Sequence, residues 1–282
     1  PLTHMNILLD IEDYYSSFPF TSSDIKVEYS TIIDINRPSD ITMIGNDDFA
    51  VSSDNKVNIF SSDREFKYTI RSDIISNPFG LFFDNKRNLL FVTDIKNNQV
   101  HVLSSSSDSK DWSHVYSIGS KGRYIGQFFS PFDVAVTSHG EFVVCDGDNH
   151  RLQFFDIASG VFIRSVVGAY GSGLGQFFNP RGVCFDSSSD SLYVADRNNY
   201  CVYVLSARDG SFKRSFGSEG NGNGQFNDPC DICVSDDGQF IIVADYNNHR
   251  VQVLRNDGSF VTSYGSYGKG EGQFASPSRV CL

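Results

Sequence analysis

The chain has 282 residues, of which 40% are hydrophobic and 14% aromatic, enough for a sizeable core in one all-β domain. Lys+Arg 23 against Asp+Glu 34 gives a net charge of −11, a balance that favours solubility and repels nucleic acid at long range. No apolar run is long enough to span a bilayer, so no membrane partner is expected.

The opening Pro1-Leu2-Thr3-His4-Met5 reads as an internal fragment or as a short remnant ahead of Met5. In residues 1–37, Asn6 to Ile11 and Ile25 to Ile35 read as strands, with an aromatic, Ser-rich loop over 12–24.

From Pro38 onward a unit recurs. Each copy opens on a proline, runs through two apolar strands to an Asp, turns, adds two further strands and ends in a Gly-rich link. The opening prolines are Pro38, Pro78, Pro131, Pro180, Pro229 and Pro277. Four short strands every 40 to 53 residues fit one blade of a β-propeller. Blades are therefore expected to start near 38, 78, 131, 180 and 229. Residues 1–37 and 277–282 together would supply a sixth blade, closed by strands from both ends, because a closed ring leaves no free sheet edge. The expected fold is a single all-β domain over 1–282, a six-bladed β-propeller of four-stranded blades.

The middle hairpin is the clearest repeat. It reads Asp146-Gly147-Asp148-Asn149-His150-Arg151-Leu152-Gln153, Asp196-Arg197-Asn198-Asn199-Tyr200-Cys201-Val202-Tyr203 and Asp245-Tyr246-Asn247-Asn248-His249-Arg250-Val251-Gln252, with a looser copy from Asp94 to Leu103. The unit at Pro38 keeps a hairpin, Ser53 to Phe60, without the Asp-x-x-Asn core. The unit at Pro78 carries an insertion, Ser104 to Trp112, expected to lengthen an outer loop.

The Asp-x-x-Asn-x-Arg-Val-Gln-Val segment and the Gly-x-Gly-Gln-Phe before Pro180, Pro229 and Pro277 resemble NHL repeats. The resemblance implies a six-bladed propeller used as an interaction platform. Relatives of that kind include RNA-binding domains of tripartite-motif ubiquitin ligases, a zinc-dependent amidating lyase and bacterial receptor-kinase sensor domains, so the resemblance alone leaves function open. The lyase places zinc-binding histidines directly after blade prolines. Here those positions hold Ser39, Phe79, Phe132, Arg181, Cys230 and Ser278, so that site is not expected.

Other constellations read as structural. The Gly-rich links lead into strands rather than helices, unlike a phosphate cradle, and Phe128, Phe177, Phe226 and Phe274 are expected to anchor them between blades. The Asp-x-x-Asn turns lack the oxygen density of a calcium loop; Asp146, Asp196 and Asp245 are expected to accept backbone N–H bonds within the turn, with Arg151 and Arg250 paired to them or to a neighbouring blade. Cys184, Cys233 and Cys281 each lie four residues after a proline, in a small-residue slot, so Cys230-x-x-Cys233 reads as packing. With six cysteines and no Asn-x-Ser/Thr sequon, the composition favours a reducing, intracellular (cytoplasmic) setting. No nucleophile elbow and no three-histidine set is visible, so no catalytic residue, cofactor or metal is expected.

What remains is a face. Blade links and middle hairpin turns open on the same side of a propeller. They would carry Phe79, Phe132, Arg181, Arg123, Tyr124, Arg151, Tyr200, Tyr246, His249 and Arg250, with Lys96, Tyr170 and Arg197 beside them. Tyr and Arg are enriched at binding hot spots. The expected function is a non-catalytic module, monomeric when isolated, that binds a protein or peptide there. The alternatives are RNA binding and a hydrolase or lyase with an unrecognised site in the central channel.

Overall fold

The strands of the repeats are short runs of five to seven residues, the inner ones largely apolar, which suits strands packed on both faces. In a computed structural model, residues 6–8, 38–45, 48–70, 72–105, 111–167, 171, 173, 175–270 and 272–281 are described. Blade 1 comprises β2 (Pro38–Ile44), β3 (Asp48–Ser53), β4 (Lys56–Phe60) and β5 (Phe66–Ile70). Blade 2 comprises β6 (Pro78–Asp84), β7 (Leu89–Asp94), β8 (Gln99–Ser105) and β9 (Trp112–Ile118). Blade 3 comprises β10 (Pro131–Val136), β11 (Glu141–Asp146), β12 (Arg151–Asp156) and β13 (Phe162–Val167). Blade 4 comprises β14 (Pro180–Asp186), β15 (Ser191–Asp196), β16 (Cys201–Ser206) and β17 (Phe212–Phe216). Blade 5 comprises β18 (Pro229–Val234), β19 (Phe240–Asp245), β20 (Arg250–Arg255) and β21 (Phe260–Tyr264). Every blade is an antiparallel meander, and its innermost strand starts on the proline that opens the repeat.

The blade count corrects the expectation of six: the described residues form a β-propeller of five four-stranded blades. The remaining sheet has two strands, β1 (Asn6–Leu8) and β22 (Arg279–Cys281), and they run parallel with Asn6 opposite Arg279 and Leu8 opposite Cys281. A blade is a meander whose short turns force antiparallel neighbours. Strands from opposite ends of the chain carry no such constraint, and here they pair in the other direction. The strands and loop expected between Ile11 and Ile35 lie outside the described residues. β22 packs between the innermost strands of blades 5 and 1, so the inner strands close a ring in the order β2, β6, β10, β14, β18, β22.

The core lies between successive blades. Phe128 packs with Val100 and Val102 of blade 2 and Val144 of blade 3. Phe177 packs with Leu152 and Phe154 of blade 3 and Leu192 of blade 4, and Phe226 with Val202 and Val204 of blade 4 and Ile241 of blade 5. All three, with Phe274, are essentially fully buried, so each of these four links is pinned by its own Phe as the pattern suggested. All six cysteines are free thiols, and Cys230 and Cys233 sit in one apolar cluster with Ile242, Val251 and Val280.

Candidate interaction face and channel mouth

Strand register fixes which loops share a face. In blade 3, Pro131 at the start of β10 lies opposite Asp146 at the end of β11, and Arg151 at the start of β12 lies opposite Val167 at the end of β13. The link into each blade and its middle turn therefore open on one side, while the remaining turns open on the other.

The Asp-x-x-Asn turn is a short 3-10 segment that ends on a left-handed residue: His150 at φ 55°, Tyr200 at φ 55° and His249 at φ 54°. Asn98 takes the same place in blade 2 at φ 55°. The Asp takes a backbone N–H from the link that enters the same blade. Asp146 accepts the Phe129 N–H at 2.7 Å, Asp245 the Asn227 N–H at 2.7 Å, and Asp196 the Phe178 N–H at 2.9 Å. Within the turn the Asn149, Asn199 and Asn248 side chains donate to the same carboxylates, and in blade 2 Asp94 accepts the Lys96 and Asn97 backbone N–H groups of its own turn.

Arg151 and Arg250 complete this arrangement. Arg151 Nε donates to Asp146 Oδ2 at 2.7 Å, and its terminal nitrogens donate to the Arg123, Tyr124 and Gln127 carbonyls. Arg250 Nε donates to Asp245 Oδ2 at 2.8 Å, and Nη2 to the Gly222 and Gln225 carbonyls. Blade 4 has Cys201 in the arginine's place, and burial without that cation pushes the Asp196 carboxyl up to about 7. In blade 2, His101 stands where blades 3 and 5 carry Gln153 and Gln252, which bond the turn Asp. Its Nδ1 lies 2.7 Å from Ser117 Oγ and its Nε2 3.6 Å from Asp94. Burial works to raise Asp94, but the neighbouring His101 and hydrogen bonds from the Ser76 and Asn97 backbone outweigh it and hold the carboxyl at about 2. Asp94, His101 and Ser117 thus line up where neighbouring blades have the Gln–Asp bond, but His101 Nε2 stands beyond hydrogen-bond distance of the carboxylate and makes no hydrogen bond among the described residues.

The turns also latch one blade to the next. His150 Nδ1 accepts the Asn179 N–H at 3.1 Å and His249 Nδ1 the Ser276 N–H at 3.1 Å, while Asn98 Oδ1 accepts the Ser130 N–H at 3.0 Å. Arg197 is paired with Asp228 of the following link, with Nη2 to Oδ2 at 2.7 Å. His249 also faces the Tyr267 ring at 4.8 Å. Tyr246 packs on the blade 5 core, and Tyr200 is half-buried in its turn.

At the channel mouth the residues after the opening prolines converge. Phe79 and Phe132 meet edge to face at 5.4 Å, and the Arg181 guanidinium lies 4.5 Å above the Phe132 ring. A register shift after each opening proline turns this residue and the next toward the channel. The residues two beyond the prolines are Asp40, Gly80, Asp133, Gly182, Asp231 and Arg279, an alternation readable in the chain but missed when only the first positions were compared. Each Asp accepts a backbone N–H of the next inner strand: Leu81 to Asp40 at 2.6 Å, Val183 to Asp133 at 2.8 Å and Val280 to Asp231 at 2.8 Å. The intervening positions must be glycine. A Cβ on Gly80 would stand 2.5 Å from the Phe132 carbonyl oxygen, and one on Gly182 2.7 Å from Asp231 Cα.

Arg279, 2% exposed, fills the channel below the mouth. Its guanidinium lies 3.3 Å from Asp231, 3.6 Å from Asp40 and 3.8 Å from Asp133, donates to the Ser39 and Phe132 carbonyls, and sits 4.9 Å from the Phe79 ring. Burial pushes the Asp40 carboxyl up to about 7 and Asp133 well above the usual carboxylate range, and it raises Asp231, all against the pull of Arg279. Burial also disfavours the Arg279 charge, but the three carboxylates outweigh it and hold the guanidinium above the ordinary arginine value. Among the described residues no cluster of three or more His, Cys, Asp or Glu is arranged to hold a metal ion.

Of the residues expected on the face, the structure brings Phe79, Phe132 and Arg181 together at the mouth. Arg123 and Tyr124 project from the link into blade 3, where Tyr124 is 82% exposed and Ile125 beside it 66%. In the links into blades 4 and 5 and into β22, Tyr124's place is taken by Gly173, Gly222 and Gly270. Arg151 and Arg250 are turned inward and engaged, Tyr200, Tyr246 and His249 lie in or between blades, and Tyr170 lies outside the described residues. No described helix is long and apolar enough to cross a membrane.

The NHL repeat family model matches residues 130–155, 177–205 and 226–254, which cover the first three strands of blades 3, 4 and 5. No curated protein matches the chain.

Proposed function

We propose that this chain, an NHL-repeat β-propeller, acts as a non-catalytic interaction module that binds a protein or peptide partner on the face formed by its blade links and middle turns. The observation that carries the reading is the Arg123-Tyr124-Ile125 knuckle. It stands in solvent on a link whose counterparts are glycine-rich, and the inward-facing side of the same link is locked by Arg151 through the Arg123 and Tyr124 carbonyls. A rigidly held aromatic and aliphatic pair flanked by arginine is the composition of a binding hot spot.

RNA binding draws less support. It needs free cations around exposed aromatic rings. Arg151, Arg250 and Arg197 are bonded to carboxylates, and the chain carries a net charge of −11. A channel enzyme draws less support as well, because Arg279 occupies the space between the buried carboxylates.

Affinity capture with the wild-type chain, repeated with a Tyr124→Gly/Ile125→Asn double variant, tests the reading. The double variant is expected to lose the specific partners of the wild type. Retention of every partner would overturn the assignment of this face.

A further inference from the structure

Resting on the interaction reading above, we propose that the channel mouth receives the carboxylate of an Asp or Glu side chain from a partner peptide, with Arg181 as the cation that holds it. A guanidinium carries five N–H donors. In Arg181, Nε approaches Asn179 Oδ1 at 3.4 Å, and among the described residues no carboxylate pairs with the group. Its neighbours differ sharply: Arg197 is clamped by Asp228, and Arg279 sits among Asp40, Asp133 and Asp231. Among the described residues, Arg181 is the arginine at the mouth with no carboxylate within ion-pair distance. Burial lowers its pKa, and the nearby Arg197 charge adds to the effect.

Holding a cation half out of water with its donors unused is costly, and an anion from outside would offset that cost. The guanidinium lies over the Phe132 ring, 4.5 Å from its centre, and the fork of N–H donors it carries there matches the two oxygens of a carboxylate. Phe79, packed edge to face on Phe132, extends the apolar floor for the methylenes of the incoming side chain. Charge count selects the ligand class. One unbalanced guanidinium matches one monoanion. A phosphate dianion or a nucleic-acid backbone would bring more negative charge beside Asp228, in a chain of net charge −11.

A cellulose-bound peptide array of mixed composition, whose members lack a free C-terminus, provides the test, with the wild-type chain as probe. Selected members are expected to contain Asp or Glu. Replacing that residue by Asn or Gln in a labelled, amidated copy is expected to weaken binding at least about tenfold in fluorescence polarisation. Arg181→Met is expected to show the same loss, Arg181→Lys a partial one, and Arg181→Met to unfold at no lower a temperature than the wild type, since it removes an unbalanced charge. Selected peptides without an acidic residue, or acidic peptides that bind Arg181→Met as well as wild type, would overturn the proposal. If such peptides nevertheless lose binding to the Tyr124→Gly/Ile125→Asn variant, the interaction face stands and the carboxylate site alone fails. Tighter binding of a single-stranded RNA oligonucleotide than of any array peptide would overturn it as well, and an array with no bound member would count against both readings.

Discussion

The guanidinium of Arg279 donates to the backbone carbonyl of Phe132 at 3.2 Å, although β22 and β10 occupy opposite positions in the ring of inner strands. One side chain therefore spans the channel. It ties the closing strand to blade 3, and through Ser39 and Asp231 to blades 1 and 5. Ring closure rests on this buried ionic contact as well as on strand pairing.

Removing that cation exposes the arrangement. Arg279→Met leaves Asp40, Asp133 and Asp231 buried without a counter-charge. Loss of one partner from a buried ion cluster costs on the order of 3–5 kcal/mol. Urea denaturation is expected to show a loss of that size, with a smaller loss once Asp133→Asn is added, because one uncompensated carboxyl is then gone.

The buried carboxyls set a pH dependence. Asp196, in the turn of blade 4, and Asp40, in the channel, hold their protons in the folded state up to about pH 7 but release them near 4 when unfolded. The folded state thus binds more protons between those values, and stability is highest below about pH 4 for these groups and falls as pH rises through 7. Asp94, held at about 2, is ionised in both states across this window and does not contribute to the slope. Urea midpoints at pH 5 and pH 8 are expected to differ less in Asp196→Asn than in the wild type. An unchanged difference would contradict the assignment.

Blade-to-blade latching at the left-handed turn residue needs an acceptor, not a histidine as such. Asn98 performs in blade 2 the task of His249 in blade 5. His249→Asn is expected to be nearly neutral, whereas His249→Ala loses the acceptor for the Ser276 N–H and costs about 1 kcal/mol. Thermal unfolding of the two variants separates a hydrogen-bond role from a ring-packing role with Tyr267, since in the latter case both would be destabilised alike.

Exposure separates the knuckle from these structural positions. Tyr124 and Ile125 stand in solvent, so Tyr124→Gly/Ile125→Asn is expected to change stability by no more than about 0.5 kcal/mol. Calorimetry of the purified variant checks that any loss of partners is a loss of contact and not of fold.

Much of this architecture was legible in the chain because it is local. The opening prolines, the Asp-x-x-Asn turns and the Phe at the end of each link mark strands, turns and blade contacts within about fifty residues of one another. The blade count was not, because the pairing direction of Asn6–Leu8 with Arg279–Cys281 follows from no local period. The pairing of Arg151 and Arg250 with their turn aspartates was legible as well, but not the rest of their engagement, because the carbonyls that accept from them belong to links that come close only when the blade folds. The Asp/Gly alternation beyond the prolines was present in the residues, but its meaning depends on Arg279 reaching across the channel, a contact that repeat alignment within one blade does not reveal.

Hydrogen–deuterium exchange of the chain with and without a captured partner addresses the interaction face most directly. The account predicts slowed exchange in the link over 121–127 and in the middle turns, with the opposite-face turns at 157–161 and 187–190 unchanged. Protection confined to those opposite turns or to the outer strands, with the links exchanging as in the free chain, would contradict it.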